Sequence, residues 1–330
     1  MNDLIKKLVE AYGPSGFEEQ MRSLILPEIE PYVDEVTTDV MGNLIALKKG
    51  DGTGLRVLVA AHMDEIGVMV THVTKEGFLR FTNLGGVFPH TLLGNRVQFA
   101  DGTVGIIYSE RMKDWSEIHP LEKHYIDVGA SSPEDCPIEV GAAAGFLRPL
   151  HIQGNRLTAK SMDDRIGCAV IIEAMKRLQS SPHDVYFAFT VQEEIGTRGA
   201  EVVANRLNPD VGLAVDITPA GDLPNAQFAP LGLGQGTAVK VKDLGMIAHS
   251  GLVRLMKQRA KEANIPYQME VLTRGSTDAR AMQIANAGCA AGCISIPCRY
   301  AHSQSETVDT TDVEASIQLL VEILSKPIDL

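Results

Sequence analysis

The chain has 330 residues, 45% of them hydrophobic, which is more than one average domain needs and enough for a substantial core. Forty-two acidic residues against 30 basic ones give a formal net charge of -12 and a pI near 5.2. So acidic a chain argues against nucleic acid or an anionic membrane as partner and favours metal cations. The first residues, MNDLIKKLVE, lack the apolar stretch of a secretion signal, and no apolar run reaches the roughly 18 residues of a membrane span, so a cytoplasmic location is expected.

In chain order, Leu4, Ile5, Leu8 and Val9 have helical spacing and stop at Gly13-Pro14. A second helix is predicted from Phe17 to about Glu30, with Ser15 as its N-cap. Residues 34 to 48 read as a hairpin turning at Met41-Gly42-Asn43, and LRVLVAA at 55 to 61 as a strand covered on both faces. From 66 to 156, short β-branched pieces separated by Gly, Asp-Gly and Pro predict a small inserted β-barrel or sandwich. Within it the 111 to 124 segment reads as an exposed loop.

The α/β pattern returns after 157. Helices are predicted over 166 to 178 and 252 to 263, and strands over VYFAFTV (185 to 191), VGLAV (211 to 215) and AAGCISI (290 to 296). A closing helix is expected from Thr311, with Glu314 completing a capping box. The chain therefore reads as an α/β protein with a mixed central sheet flanked by helices, built from residues 1–65 plus 157–330, and a β-barrel inserted at 66–156. The five cysteines, Cys136, Cys168, Cys289, Cys293 and Cys298, lack paired zinc-site spacing and are expected to be buried free thiols. His72, His90, His119, His124, His151, His183 and His249 have no partner spacing and are placed in loops or on the surface. GLGQG at 232 to 236 is read as a turn, because it does not open a βαβ unit.

Chemistry gathers at strand ends. LRVLVAA leads into His62-Met63-Asp64, VYFAFTV into Gln192-Glu193-Glu194, VGLAV into Asp216, and AAGCISI is followed by His302. In α/β sheets ligands bind beyond the carboxyl ends of the strands, so four strands aim such groups at one crevice. SMDDRIG adds Asp163 and Asp164 at a helix start, where simple capping also accounts for acids. Two His with several carboxylates suit Zn, Co or Mn better than Mg or Ca. One tetrahedral catalytic ion needs fewer ligands than five, so the count favours two ions sharing a carboxylate.

These residues resemble a known family. HMDEIG at 62 to 67, KSMDDRIG at 160 to 167, QEEIGTRGA, Asp216 and RYAHSQSE at 299 to 306 are similar to the glutamyl and deblocking aminopeptidases, the tetrahedral co-catalytic metallopeptidases, some of which have been labelled endoglucanases. PSGFEE, YIDVGASS, LGQGTAVKVKD and STDA extend the resemblance over almost the whole chain. It implies a zinc-peptidase-like fold and two divalent ions per subunit, Zn first, with Co or Mn as alternatives.

It implies that His62 and Asp216 hold one ion, that Glu194 and His302 hold the other, and that Asp163 bridges them, with a cis Asp163-Asp164 peptide. Glu193 would be the general base, and Asp64 would fix the His62 imidazole. Asp278 is a candidate receptor for the substrate's α-amino group, with helix capping as the competing role. Two features depart from the family pattern: Gly275-Ser276-Thr277-Asp278, where Gly-Gly-Thr-Asp is usual, and the 111 to 124 loop. Both bear on substrate preference rather than on the metal set.

The expected activity is hydrolytic removal of N-terminal residues from short peptides. A glycoside hydrolase, or endoglucanase, using the paired carboxylates is the alternative; it gives the two His no role and has only Trp115 as a tryptophan platform. An inactive metal-binding scaffold is a third possibility, which leaves Glu193 without a duty. The resemblance further implies homo-oligomers, with dimers formed through the barrel and six dimers making a tetrahedral dodecamer.

Overall fold

The computed structural model describes residues 1–111, 117–226 and 230–330. Eight strands form a mixed sheet in the order Glu35–Thr38, Leu44–Lys48, Asp184–Thr190, Arg56–His62, Val211–Pro219, Ala290–Cys298, Thr237–Lys242, Tyr267–Val271. The middle four are parallel to one another, and antiparallel strands flank them on both sides. The run RVLVAAH shows why. Val57, Val59 and Ala61 pack into one core beneath the sheet, while Leu58 and Ala60 enter a second core on the other face. Both phases of the strand are buried, so alternation disappears from the sequence.

Helices Asn2–Glu10, Glu19–Ile29, Met162–Arg177, Ser250–Glu262 and Thr310–Leu324 cover the first face, and Arg198–Leu207 and Asp278–Ile284 the second. Among the described residues, no helix is long and apolar enough to cross a membrane.

Five residues beyond His62 the chain enters a closed six-stranded barrel. Its strands are ordered Gly67–Val73, Leu79–Leu84, His124–Asp127, Val104–Ser109, Arg96–Phe99, Ala143–Phe146. In the Val104–Ser109 strand, exposed Val104, Ile106 and Tyr108 alternate with buried Gly105, Ile107 and Ser109, the period-two signature of a sheet with one wet face. After Phe146 the chain forms a three-stranded antiparallel sheet from His151–Gln153, Arg156–Ala159 and Glu306–Asp309. That sheet hands the chain directly to Asp163.

Several expectations need correction. Ser15 does not cap the second helix, which starts at Glu19; its hydroxyl donates instead to Asp64 Oδ2 at 2.6 Å. The closing helix begins at Thr310 and is capped by Asp309, which accepts the Thr311 N–H, while Glu314 pairs with Arg177 at 2.6 Å. A capping box therefore does not form, because the preceding strand already delivers an acid to the cap. The VGLAV strand continues through Asp216 to Pro219. His124 and His183 are buried, not peripheral: His183 Nδ1 accepts the Leu55 N–H, and Nε2 donates to the Lys326 carbonyl. All five cysteines are free, with Cys136 and Cys289 only partly buried. In the 111 to 124 loop, residues 112–116 lie outside the described residues, and Leu121–Lys123 forms a single 3-10 turn.

Candidate metal centre and active site

His62 ends its strand, and its ring is 2% exposed. Its Nδ1 faces Asp64, 3.2 Å from the backbone carbonyl and 3.4 Å from Oδ1, so the proton belongs on Nδ1. The other nitrogen, Nε2, is then left pointing at Asp163 Oδ1, 3.0 Å away. Across the site, His302 Nε2 lies 3.3 Å from Asp163 Oδ2 and 3.7 Å from Glu194 Oε2. Each oxygen of Asp163 thus faces a different histidine.

The paired glutamates are separated by backbone geometry. The strand stops at Thr190, Gln192 adopts a left-handed φ of 56°, and Gly196 follows at φ 119°. Glu193 O accepts the N–H groups of Gly196 and Thr197, closing a turn. Adjacent side chains that would point to opposite faces of a strand are therefore brought to one cavity. Asp64 anchors this turn, since its Oδ1 accepts the Glu193 N–H at 2.9 Å and its Oδ2 the Glu194 N–H at 3.1 Å.

Two sets of potential ligands have their donor atoms within 4.8 Å of one another: His62, Asp163 and Glu194, and His62, Asp164 and Asp216. The Asp163-Asp164 peptide is cis. Asp164 Oδ1 accepts the Gly167 N–H, while its Oδ2 and Glu194 Oε1 are buried without a hydrogen-bond partner among the described residues. Buried orphan oxygens of this kind are costly unless a cation completes them.

Charge tells the same story. Burial first, then Asp164's neighbour Asp216, pushes Asp164 well above the usual carboxylate range; burial and Asp163 do the same to Asp216. Burial raises Glu193 well above its ordinary value, His62 opposing and Asp216, Asp278 and Glu194 adding to the rise. Glu194 is pushed up to about 7, chiefly by burial. For Asp163, burial is outweighed by the hydrogen bonds to His302 and His62, so its pKa falls. Glu194, against the opposing effect of burial, raises His302 to about 11. So many mutually raised acids in one crevice form a concentration of negative charge that divalent ions suit.

The cluster opens into a cavity of about 560 Å³ whose lining includes the apolar Ile217, Leu223 and Leu272 together with Arg274 and Arg280. Asp278 is buried and accepts the Thr190 hydroxyl at 2.5 Å, and the cavity wall at this point is formed by Ser276, Thr277 and Arg280. Asp278 is not the helix cap: Thr277 fills that place, its side chain accepting the Ala279 N–H.

The sequence reading missed three participants. Gly86, in the loop that follows the second barrel strand, accepts the His302 Nδ1–H at 3.1 Å through its carbonyl. Lys240 lines the cavity near Asp216 while paired with Glu270. Glu306 accepts the backbone N–H groups of Asp163 and His302. Only Glu306 left a local signal, four residues after His302 in RYAHSQSE.

The chain as a whole has counterparts among known proteins. The M42 glutamyl aminopeptidase family model matches residues 42–319. The lysyl aminopeptidase of Pyrococcus furiosus is 37% identical over 99% of this chain and 98% of its own. The structure of aminopeptidase APDkam598 from Desulfurococcus kamchatkensis superposes with a TM-score of 0.94 at 38% identity, covering 98% of this chain and 94% of that one. The Pyrococcus horikoshii TET1 peptidase, which can assemble into a tetrahedron or a large octahedral shell, superposes with a TM-score of 0.90 at 31% identity over 98% and 99%. With the barrel, the strand-end acids and histidines and this agreement over the full length in hand, the chain belongs to the M42 glutamyl aminopeptidase family.

Proposed function

We propose that this aminopeptidase is a two-metal enzyme that removes N-terminal residues from short peptides. The observation that carries the proposal is the placement of Asp163 between two histidines, 3.0 Å from His62 and 3.3 Å from His302, with one carboxylate oxygen toward each. His62 and Asp216 would hold one ion, His302 and Glu194 the other, and Asp163 would bridge. When bound, the pair would supply Lewis-acid polarisation of the scissile carbonyl and activation of water near neutral pH.

The chain's own groups do the rest. Glu193 lines the cavity with its Oε2 4.0 Å from His62 Nε2, so it stands beside the ligands without being needed among them. Its carboxylate accepts the proton of the attacking water and returns it to the leaving amine. Asp64 orients both the His62 ring and the Glu193-Glu194 turn. The apolar lining and a volume of about 560 Å³ suit a peptide end rather than a folded protein. Zn, Co and Mn match the mixed nitrogen and oxygen donor set. Residues 66–156 would form the insert through which dimers build a dodecamer; the Pyrococcus horikoshii TET1 peptidase can itself assemble into a tetrahedron.

The test is release of the N-terminal residue from aminoacyl reporter substrates, with metal content measured in the same samples. Chelation should abolish turnover, and Zn, Co or Mn should restore it; turnover of the reporter that survives complete metal removal would sink the two-metal reading.

A further inference from the structure

Glu306 opens the Glu306–Asp309 strand, where it stands opposite Ala159 of the strand leading to Asp163. The same strand is bridged to Arg299, three residues before His302. Two chain segments far apart in sequence therefore flank this strand, one on each side. The Glu306 side chain, 1% exposed, spans them: Oε2 accepts the Asp163 N–H at 2.9 Å and Oε1 the His302 N–H at 2.7 Å.

His302 has a left-handed φ of 59°, and Tyr300 one of 61°, a conformation that side-chain-bearing residues adopt only when the surroundings impose it. Ser161, just before the Asp163 segment, is also left-handed at 56°. Both oxygens of the Glu306 carboxyl group are used as acceptors for backbone N–H groups, one from each segment. Backbone bonds of this kind fix where a side chain starts. The distance between the starting points of Asp163 and His302 is what decides whether one ion can reach both side chains.

We propose that Glu306 is a positioning residue for the metal centre: by clamping the Asp163 and His302 amides with its two oxygens, it sets the spacing of these ligands and hence the affinity for the ion they share with Glu194. The inference rests on the two-ion reading above. It also explains why a carboxylate is required. A glutamine has one acceptor oxygen, and its NH₂ group would face the second N–H donor to donor. An aspartate is one methylene too short to reach both amides.

The experiment uses the full chain as wild type, Glu306→Gln and Glu306→Asp, stripped with chelator and titrated with Co²⁺ while calorimetry and visible absorption are followed. Wild type should take up two ions. In Glu306→Gln one of the two sites should weaken by about 10–100-fold, the scale of lost outer-shell partners, with an altered absorption band for that site. The metal-free protein should melt close to wild type.

Glu306→Asp should weaken the same site by at least about fivefold, which decides the matter if the glutamine variant does not fold. Both affinities unchanged would overturn the proposal. So would equal weakening of both sites together with a lowered melting temperature of the metal-free protein, which is the signature of a residue that only holds the fold. If wild type itself takes up fewer than two ions, the two-ion reading fails and this inference goes with it.

Discussion

His302 donates its Nδ1–H to the carbonyl of Gly86 at 3.1 Å, and a Cβ placed on Gly86 would stand 2.2 Å from that same nitrogen. The barrel loop thus leaves room for the imidazole only because residue 86 is glycine. It also fixes the tautomer, with Nε2 kept unprotonated on the side of Asp163 and Glu194.

Gly86→Ala is therefore expected to displace the His302 ring and lower affinity for the ion it would hold by about 10–100-fold, with a matching fall in turnover at limiting metal. Metal analysis after dialysis, read against a melting curve, checks this. Full metal retention by a folded Gly86→Ala protein would mean that the loop can move aside.

Glu193→Gln keeps the size of the side chain and removes its basicity. A loss of at least about 100-fold in kcat is expected, with metal content and KM nearly unchanged. Steady-state kinetics on an aminoacyl reporter, with metal measured in the same samples, is the check; full turnover in that variant would assign the base elsewhere.

Beneath the site, Lys160 and Glu65 form an ion pair at 2.6 Å, both fully buried, and Glu65 also accepts the Gly13 N–H and the Ser161 hydroxyl. Breaking such a pair from one side leaves the other charge uncompensated. Lys160→Met should therefore destabilise the protein by about 3–5 kcal/mol, seen as a lower urea midpoint. A midpoint equal to wild type would mean that the remaining donors satisfy Glu65.

Glu18 offers a pH test. Burial first, then Asp64, raises its pKa to about 7, against the N–H groups of Gly16 and Gln192 that it accepts. A carboxyl whose folded pKa lies above its unfolded value near 4.5 stabilises fully below about 4.5. That contribution is lost as pH rises through about 7. Glu18→Gln can keep both hydrogen bonds through its Oε1 and does not titrate. Relative to wild type it should gain stability between pH 5 and pH 8, by on the order of 1–3 kcal/mol in metal-free protein. Denaturant curves at the two pH values decide, and a difference that does not change with pH would remove Glu18 from the titrating set.

Much of the site could be read from residue order, because the same strand both buries its apolar run and ends at the crevice. His62 and Glu193-Glu194 follow directly from strands whose two faces are covered, and Asp216 lies within a third. Capping was read less well. Ser15 and the Thr311-Glu314 pair matched local cap patterns, but Asp64 and Arg177, distant in sequence, claimed those side chains first.

The residues that set the ligands' surroundings were harder still to find. Gly86 lies 216 positions from His302, and Glu306 lies 143 from Asp163; no periodicity or spacing joins such pairs. The sequence by itself determined which strands are doubly buried, where the ligand-type residues fall along them, and that the charge calls for cations. Tertiary structure alone decided that one carboxylate stands between two histidines, that a left-handed turn at Gln192 brings neighbouring glutamates to one cavity, and that a barrel glycine sets the tautomer of His302. The reason is physical: burial and strand order are written in local hydrophobic pattern, whereas hydrogen-bond partners are chosen by proximity that only the folded chain creates.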